Sequence, residues 1–184
     1  KSIERRKKLE MDLALAEETQ RSLLPRELPR LDSLRLHAYS RPTRYVGGDF
    51  YNFELQPSGE LIGVLADVSG KGIAASLLSS MLLGCLQLLL RRGASPTEAL
   101  NELNKFLHEK ASRRFVTMFL FSVNSAGSGL FISAGHNPAY LYRAASGTIE
   151  ELSATGLMVG AFDFATFESS PLDLQLGDIL LAYS

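Results

Sequence analysis

The chain has 184 residues, 46% hydrophobic and 21% charged, which suits one domain with a core and an additional element. With 19 Lys and Arg against 20 Asp and Glu the net charge is −1, so no charge excess directs the chain to nucleic acid or to an anionic membrane. Cys85 has no cysteine partner, which excludes an internal disulfide and fits a reducing, cytoplasmic setting.

Residues 1–24 read as one helix, because good helix formers dominate and neither Gly nor Pro interrupts them. Lys1, Arg5, Arg6, Lys7 and Lys8 precede no apolar run, so this is no secretory signal; the start without Met suggests a piece of a longer protein. Leu9, Leu13, Ala16 and Leu23, with the polar Gln20, form a short, imperfect coiled-coil seam. Two readings stay open: a helix packed on its own domain, or a parallel stalk that makes a homodimer. Pro25 and Pro29 end the helix and start an irregular crossing.

Alternating Leu34, Leu36 and Ala38 predict a strand over 34–40. Residues 49–55 and 60–67 predict a hairpin, closed by the turn Gln56-Pro57-Ser58-Gly59. A helix follows over 71–91, with Ser69 the best-placed residue to cap it. Its stretch 73–90 is apolar enough to suggest a membrane, but Ser76, Ser79, Ser80 and Gln87 favour a largely buried helix. Gly93 stops it, and Ser95-Pro96 start a second helix to about Ser112 with an apolar face of Ala99, Leu103, Phe106 and Leu107. Strands are expected at 116–124, 129–134, 139–143, 149–152, 167–174 and 178–183. Strands, two helices, then strands make an α+β fold, most economically an antiparallel sheet with the helix pair on one face.

Two segments carry the candidate chemistry. Val46-Gly47-Gly48-Asp49-Phe50-Tyr51 and Ala66-Asp67-Val68-Ser69-Gly70-Lys71-Gly72 each set a carboxylate beside glycines at a strand end. In a hairpin, Asp49 and Asp67 stand on opposite legs at the same open end. Carboxylates that close repel unless a cation lies between them, and hard oxygen donors favour magnesium or manganese. The alternative is that both aspartates cap local structure. Ser69-Gly70-Lys71-Gly72 lacks the Gly-x4-Gly-Lys-Ser/Thr of a phosphate loop. Cys85, in an apolar helix without a basic neighbour, reads as core packing. His37 and His108 have no partner at ligand spacing.

The pair VGGDFYN and ADVSGKGIAA, followed by RFVTMFLF, SAGHNPAYL, ATGLMVG and LQLGDILLAYS and preceded by QRSLLP, resembles the SpoIIE/RsbU-type branch of the PPM metal-dependent serine/threonine phosphatases from about Gln20 to Ser184. The resemblance implies an α/β sandwich of mostly antiparallel sheets, with a linker helix at 1–24 and a phosphatase domain at 25–184. It implies a centre of two manganese or magnesium ions, held in part by Asp49, Asp67 and the backbone carbonyl of Val68, with Arg44 on the substrate phosphate. It implies hydrolysis of phosphoserine or phosphothreonine on a STAS-type anti-anti-sigma protein in bacterial partner switching, under an upstream sensor, in the cytoplasm and with a membrane anchor on the parent left open.

Three departures bear on this. Asn52 stands where many relatives have a second aspartate, and Ser69 where eukaryotic relatives have a histidine. Further ligand aspartates are expected beyond Ser184, so these 184 residues should hold metal weakly; the alternative is an inactive phosphatase-fold interaction module. His136 and Asn137 lack an accompanying nucleophile, and in the family their segment is a structural turn.

Overall fold

The computed structural model describes residues 2–42, 45–110 and 114–184. Helix α1 (Ser2–Leu23) leads to an irregular crossing and then to the hairpin β1 (Phe50–Leu55) and β2 (Leu61–Val68). Helices α2 (Ile73–Arg91) and α3 (Pro96–Lys110) come next. Strands β3 (Val116–Val123), β4 (Ser128–Ala134), β5 (Ala139–Arg143), β6 (Thr148–Leu152), β7 (Ser170–Asp173) and β8 (Ile179–Leu181) complete the chain. They form a five-stranded sheet of order β1-β2-β3-β4-β7 and a three-stranded sheet of order β6-β5-β8, with every named pair antiparallel. The expected α+β architecture is the one observed.

Period-2 patterning divides the molecule into layers. One face of the large sheet carries Phe50, Ile62, Val64, Ala66, Val68, Val116, Met118, Leu120 and Ile132, which pack under α2 and α3. The opposite face carries Phe119 and Phe131, which pack on Ala139 and Leu141 of the small sheet. The turn over Gln56–Gly59 closes the hairpin as expected, with Gln56 N–H donating to Glu60 O at 2.8 Å.

Helix α2 is a core helix. Leu78, Leu82, Leu83, Leu86 and Leu90 are buried against the sheet, each stabilising the fold by about 1.5–3 kcal/mol. Its length and apolar composition alone would also suit a membrane span. Cys85 packs at the margin of the same core. The helix begins at Ile73, later than expected, because Gly70 and Gly72 adopt φ of 103° and 72°. Ser69 does not cap it. Ser69 instead closes the loop against the start of β3, its hydroxyl accepting from Phe115 N–H at 3.0 Å. Helix α3 does have the expected N-terminal signal as a capping box: Ser95 N–H donates to Glu98 Oε2 at 2.8 Å and Glu98 N–H to Ser95 Oγ at 3.3 Å. Its expected end at Ser112 lies outside the described residues.

The strand expected over 34–40 does not form. Leu34 and Leu36 are half-buried between exposed neighbours, so the alternation has its packing consequence, but no ladder partner lies alongside. Patterning selects a face; backbone pairing needs a neighbour. The last two expected strands shorten to Ser170–Asp173 and Ile179–Leu181 for the same reason, since those residues lie in continuous ladders while Phe167 makes an isolated bridge to Gly156.

Candidate metal centre

The register of the hairpin builds the site. Phe50 pairs with Ala66, and Val68 N–H donates to Gly48 O at 3.4 Å, so the β1–β2 pairing continues past the strand end. Gly48 thus stands against Val68, and Asp49 falls opposite Asp67. Gln56–Glu60 and Gly48–Val68 are hydrogen-bonded pairs of this ladder, which makes Asp49 and Asp67 a non-hydrogen-bonded pair. That pair type brings Cα atoms to about 4.5 Å, with the side chains on one face. Asp67 also pairs with Thr117 of β3. The acidic pair therefore lies on the face that looks toward the small sheet, at the end of the sandwich.

The electrostatics agree with this geometry. The Asp67 pKa is pushed up from 3.8 to about 6, first by loss of water, then by its hydrogen bond to Asp49 and by repulsion from the Asp49 charge. A group displaced in this direction accepts a proton or a cation. The backbone fits a cation too. A Cβ on Gly48 would stand 2.7 Å from Val68 O, so glycine there keeps that carbonyl clear, while the Val68 side chain is fully buried in the core. Two carboxylates and a carbonyl are hard oxygen donors of the kind magnesium and manganese prefer. Among the described residues, no group of three or more His, Cys, Asp or Glu side chains gathers as a metal site.

Several neighbours complete the site. Ser184 Oγ donates to Asp49 Oδ2 at 3.1 Å. His136 is buried, and burial holds its pKa below the usual value. Its Nε2 lies 3.1 Å from Tyr183 O and its Nδ1 2.8 Å from Thr117 Oγ1. A carbonyl can only accept, so Nε2 carries the proton and Nδ1 accepts from the threonine. His136 thus ties β3 to the residue before Ser184 and offers no free nitrogen for acid–base work, in line with a structural turn. Beside the aspartates opens a cleft of about 570 Å³, lined by Asp49, Asp67, Lys71, Arg41, Tyr45 and the end of α1.

Asp49, Asp67 and Val68 are thus brought together as the sequence suggested. Arg44 lies outside the described residues. Asn52 has no part in the site: it is buried on the helix-facing side of β1, where Gln87 Nε2 donates to its Oδ1 at 3.1 Å. Its amide can cap nothing near the aspartates, which project from the other face. Sequence reasoning missed the His136–Thr117–Tyr183 tie and the engagement of Gln20 with Gly47. For Gln20 a signal existed, a lone amide in an apolar series, but it read as a stalk position.

The SpoIIE family model, described as stage II sporulation protein E, matches residues 57–184. The chain belongs to the SpoIIE family. Among its SpoIIE-type relatives in Bacillus subtilis, phosphoserine phosphatase RsbU is 29% identical over 178 residues, covering 96% of this chain and 53% of that protein. Phosphoserine phosphatase RsbP is 27% identical over 179 residues, covering 94% of this chain and 44% of that protein. The chain thus spans about half the length of the curated relatives it matches. The SiaA-PP2C domain of Pseudomonas aeruginosa has the same fold, with a TM-score of 0.78 over 95% of this chain and 71% of that one at 21% identity. The family match covers Asp67 and begins after Asp49, and the likeness to the SiaA-PP2C domain shows the fold on whose hairpin end both aspartates stand.

Proposed function

We propose that this chain is the catalytic portion of a metal-dependent protein phosphatase that hydrolyses phosphoserine or phosphothreonine on a protein substrate. The carrying observation is the opposed pair Asp49 and Asp67, with the Asp67 pKa pushed up to about 6. Asp49, Asp67 and Val68 O would hold part of a centre of two manganese or magnesium ions. Such ions supply a water activated near neutral pH and neutralise charge on the phosphoryl oxygens. The residues themselves orient: Thr117 and His136 fix β3 and the 183–184 segment around the carboxylates, and Ser184 restrains the Asp49 oxygen. Arg44, assigned by the family resemblance, would bind the substrate phosphate, as a guanidinium does well.

The substrate would be a phosphorylated STAS-domain protein of a partner-switching pathway, in the cytoplasm. The similarity to RsbU and RsbP supports this reading. An upstream sensor and homodimerisation through α1 belong to the same proposal. Homodimerisation is supported by the apolar residues that α1 leaves exposed, Ile3, Leu9, Met11 and Leu15. A second reading, an inactive interaction module, is favoured by the absence of a larger ligand cluster among the described residues.

The test is manganese-dependent hydrolysis of a phosphoserine protein by the complete protein. Asp49→Ala and Asp67→Ala should each lower kcat by two or more orders of magnitude, on the order of 10²–10³ for a lost electrostatic contribution. Wild-type activity in both variants excludes this site, and an inert wild type supports the interaction module.

A further inference from the structure

Gln20, in the last turns of α1, makes a concentrated set of contacts with the site segment. Its Oε1 accepts from Gly47 N–H at 3.1 Å, and its Nε2 donates to Gly47 O at 2.7 Å and to Ser79 Oγ at 2.9 Å. Ser79 Oγ in turn donates toward Ser76 O at 3.0 Å and Gly47 O at 3.4 Å. One side-chain amide thus engages both backbone polar groups of a single glycine, as a neighbouring strand would, and anchors that glycine to α2.

Gly47 lies two residues before Asp49 and outside β1, whose regular ladder begins at Phe50. Ahead of Phe50, the one backbone bond among the described residues that ties the segment to the sheet is the long contact from Val68 N–H to Gly48 O, 3.4 Å. Two consecutive glycines have the largest backbone freedom of any dipeptide and no side chains to pack. Left to the sheet alone, the Asp49 carboxylate would sample many positions. A half-buried amide costs stability unless its groups are bonded, and here each of them is directed at the site segment or at α2.

We propose that Gln20 is a positioning residue for Asp49: its amide fixes the Gly47 backbone and thereby sets the Asp49 carboxylate against Asp67 for divalent-ion binding. This rests on the reading of Asp49 and Asp67 as a metal centre. Misplacement of a ligand by a fraction of an ångström weakens a site even when every ligand is present. The expected signature is therefore lost metal affinity and lost turnover in a protein that remains folded.

The experiment uses the complete protein and manganese alone as the first probe, titrated calorimetrically without substrate. Gln20→Leu keeps the volume and removes the polar atoms. It should weaken manganese binding by about tenfold, the loss of roughly one net hydrogen bond in alignment. With p-nitrophenyl phosphate at subsaturating manganese, kcat should fall while KM moves less than about twofold, in a variant whose metal-free melting curve shows it fully folded at the assay temperature, which separates the effect from loss of stability. Ser79→Ala leaves both Gly47 contacts of Gln20 in place and should have the smaller effect on manganese affinity. If Gln20→Leu does not fold, Gln20→Met, unbranched and of similar length, is judged by the same criterion. A folded variant that binds manganese as tightly as wild type overturns the assignment of Gln20 alone. A wild type that binds no manganese overturns the metal centre itself.

Discussion

At Asp67 desolvation and the facing carboxylate act in the same direction, and the sign of their effect on stability can be worked out. The unfolded carboxyl titrates near 3.8 and the folded one at about 6. Below about pH 4 both states hold the proton; between about pH 4 and about pH 6 the unfolded chain releases it first. Metal-free protein should therefore lose stability as pH rises through that window, then level off. Asp67→Asn removes both the titration and the repulsion. In calorimetric melts without metal, Asp67→Asn should exceed wild type by more above pH 6 than at pH 4, while losing manganese binding. A difference independent of pH contradicts the pairing. Manganese affinity of wild type should rise across the same interval, since binding must displace the shared proton. The convergence of Asp49 and Asp67 was legible because each stands near a strand end in a glycine-containing segment, where hairpin register fixes the neighbour; Val68 entered through the family resemblance. For Asn52, noted as a departure from the family's second aspartate, strand parity decides the face. Three residues from Asp49, it points away, into contact with Gln87.

At the scale of elements, the hairpin is the piece that makes the site. It depends on a position with no side chain. Gly63 in β2 pairs with Phe121 of β3, and a Cβ on it would lie 2.3 Å from Phe121 Cε1. The phenylalanine ring covers the glycine and meets Phe53 of β1 edge-on, with centroids 6.5 Å apart. Gly63→Val should destabilise the protein by about 1–3 kcal/mol through overpacking, read from urea midpoints, and no loss would show that the ring moves aside freely. The hairpin was legible because its alternation and its Pro-Ser-Gly turn are local. The capping box at Ser95 and Glu98 was legible for the same reason. The stretch at 34–40 shows the limit: its burial alternates, yet β1 leaves it unpaired. Ser69, judged as a helix cap from spacing, is claimed instead by Phe115, 46 residues away.

Across the whole molecule, α1 behaves as two parts. Its end is docked, with Gln20 on Gly47 and Leu24 beyond it against the core. Its earlier turns leave Leu9 56% and Leu15 64% exposed. The packed-helix reading describes the end of α1, and the stalk reading of its earlier turns stays a proposal. Leu13→Asp should convert a dimer of the complete protein into a monomer in sedimentation experiments while leaving its melting temperature within a few degrees. Unchanged dimerisation removes the stalk.

Residue order by itself determined the α+β class, the hairpin with its two converging aspartates, the break at Gly93 and the start of α3. All of these follow from short-range periodicity, turn chemistry and caps. Tertiary structure alone decided that Asn52 meets Gln87, where Ser69 and His136 spend their hydrogen bonds, and that Gln20 grips the backbone ahead of Asp49. The physical reason is separation along the chain. A polar side chain is committed by whichever unpaired donor or acceptor the packed sheets and helices bring within about 3 Å of it, and no local pattern records that partner.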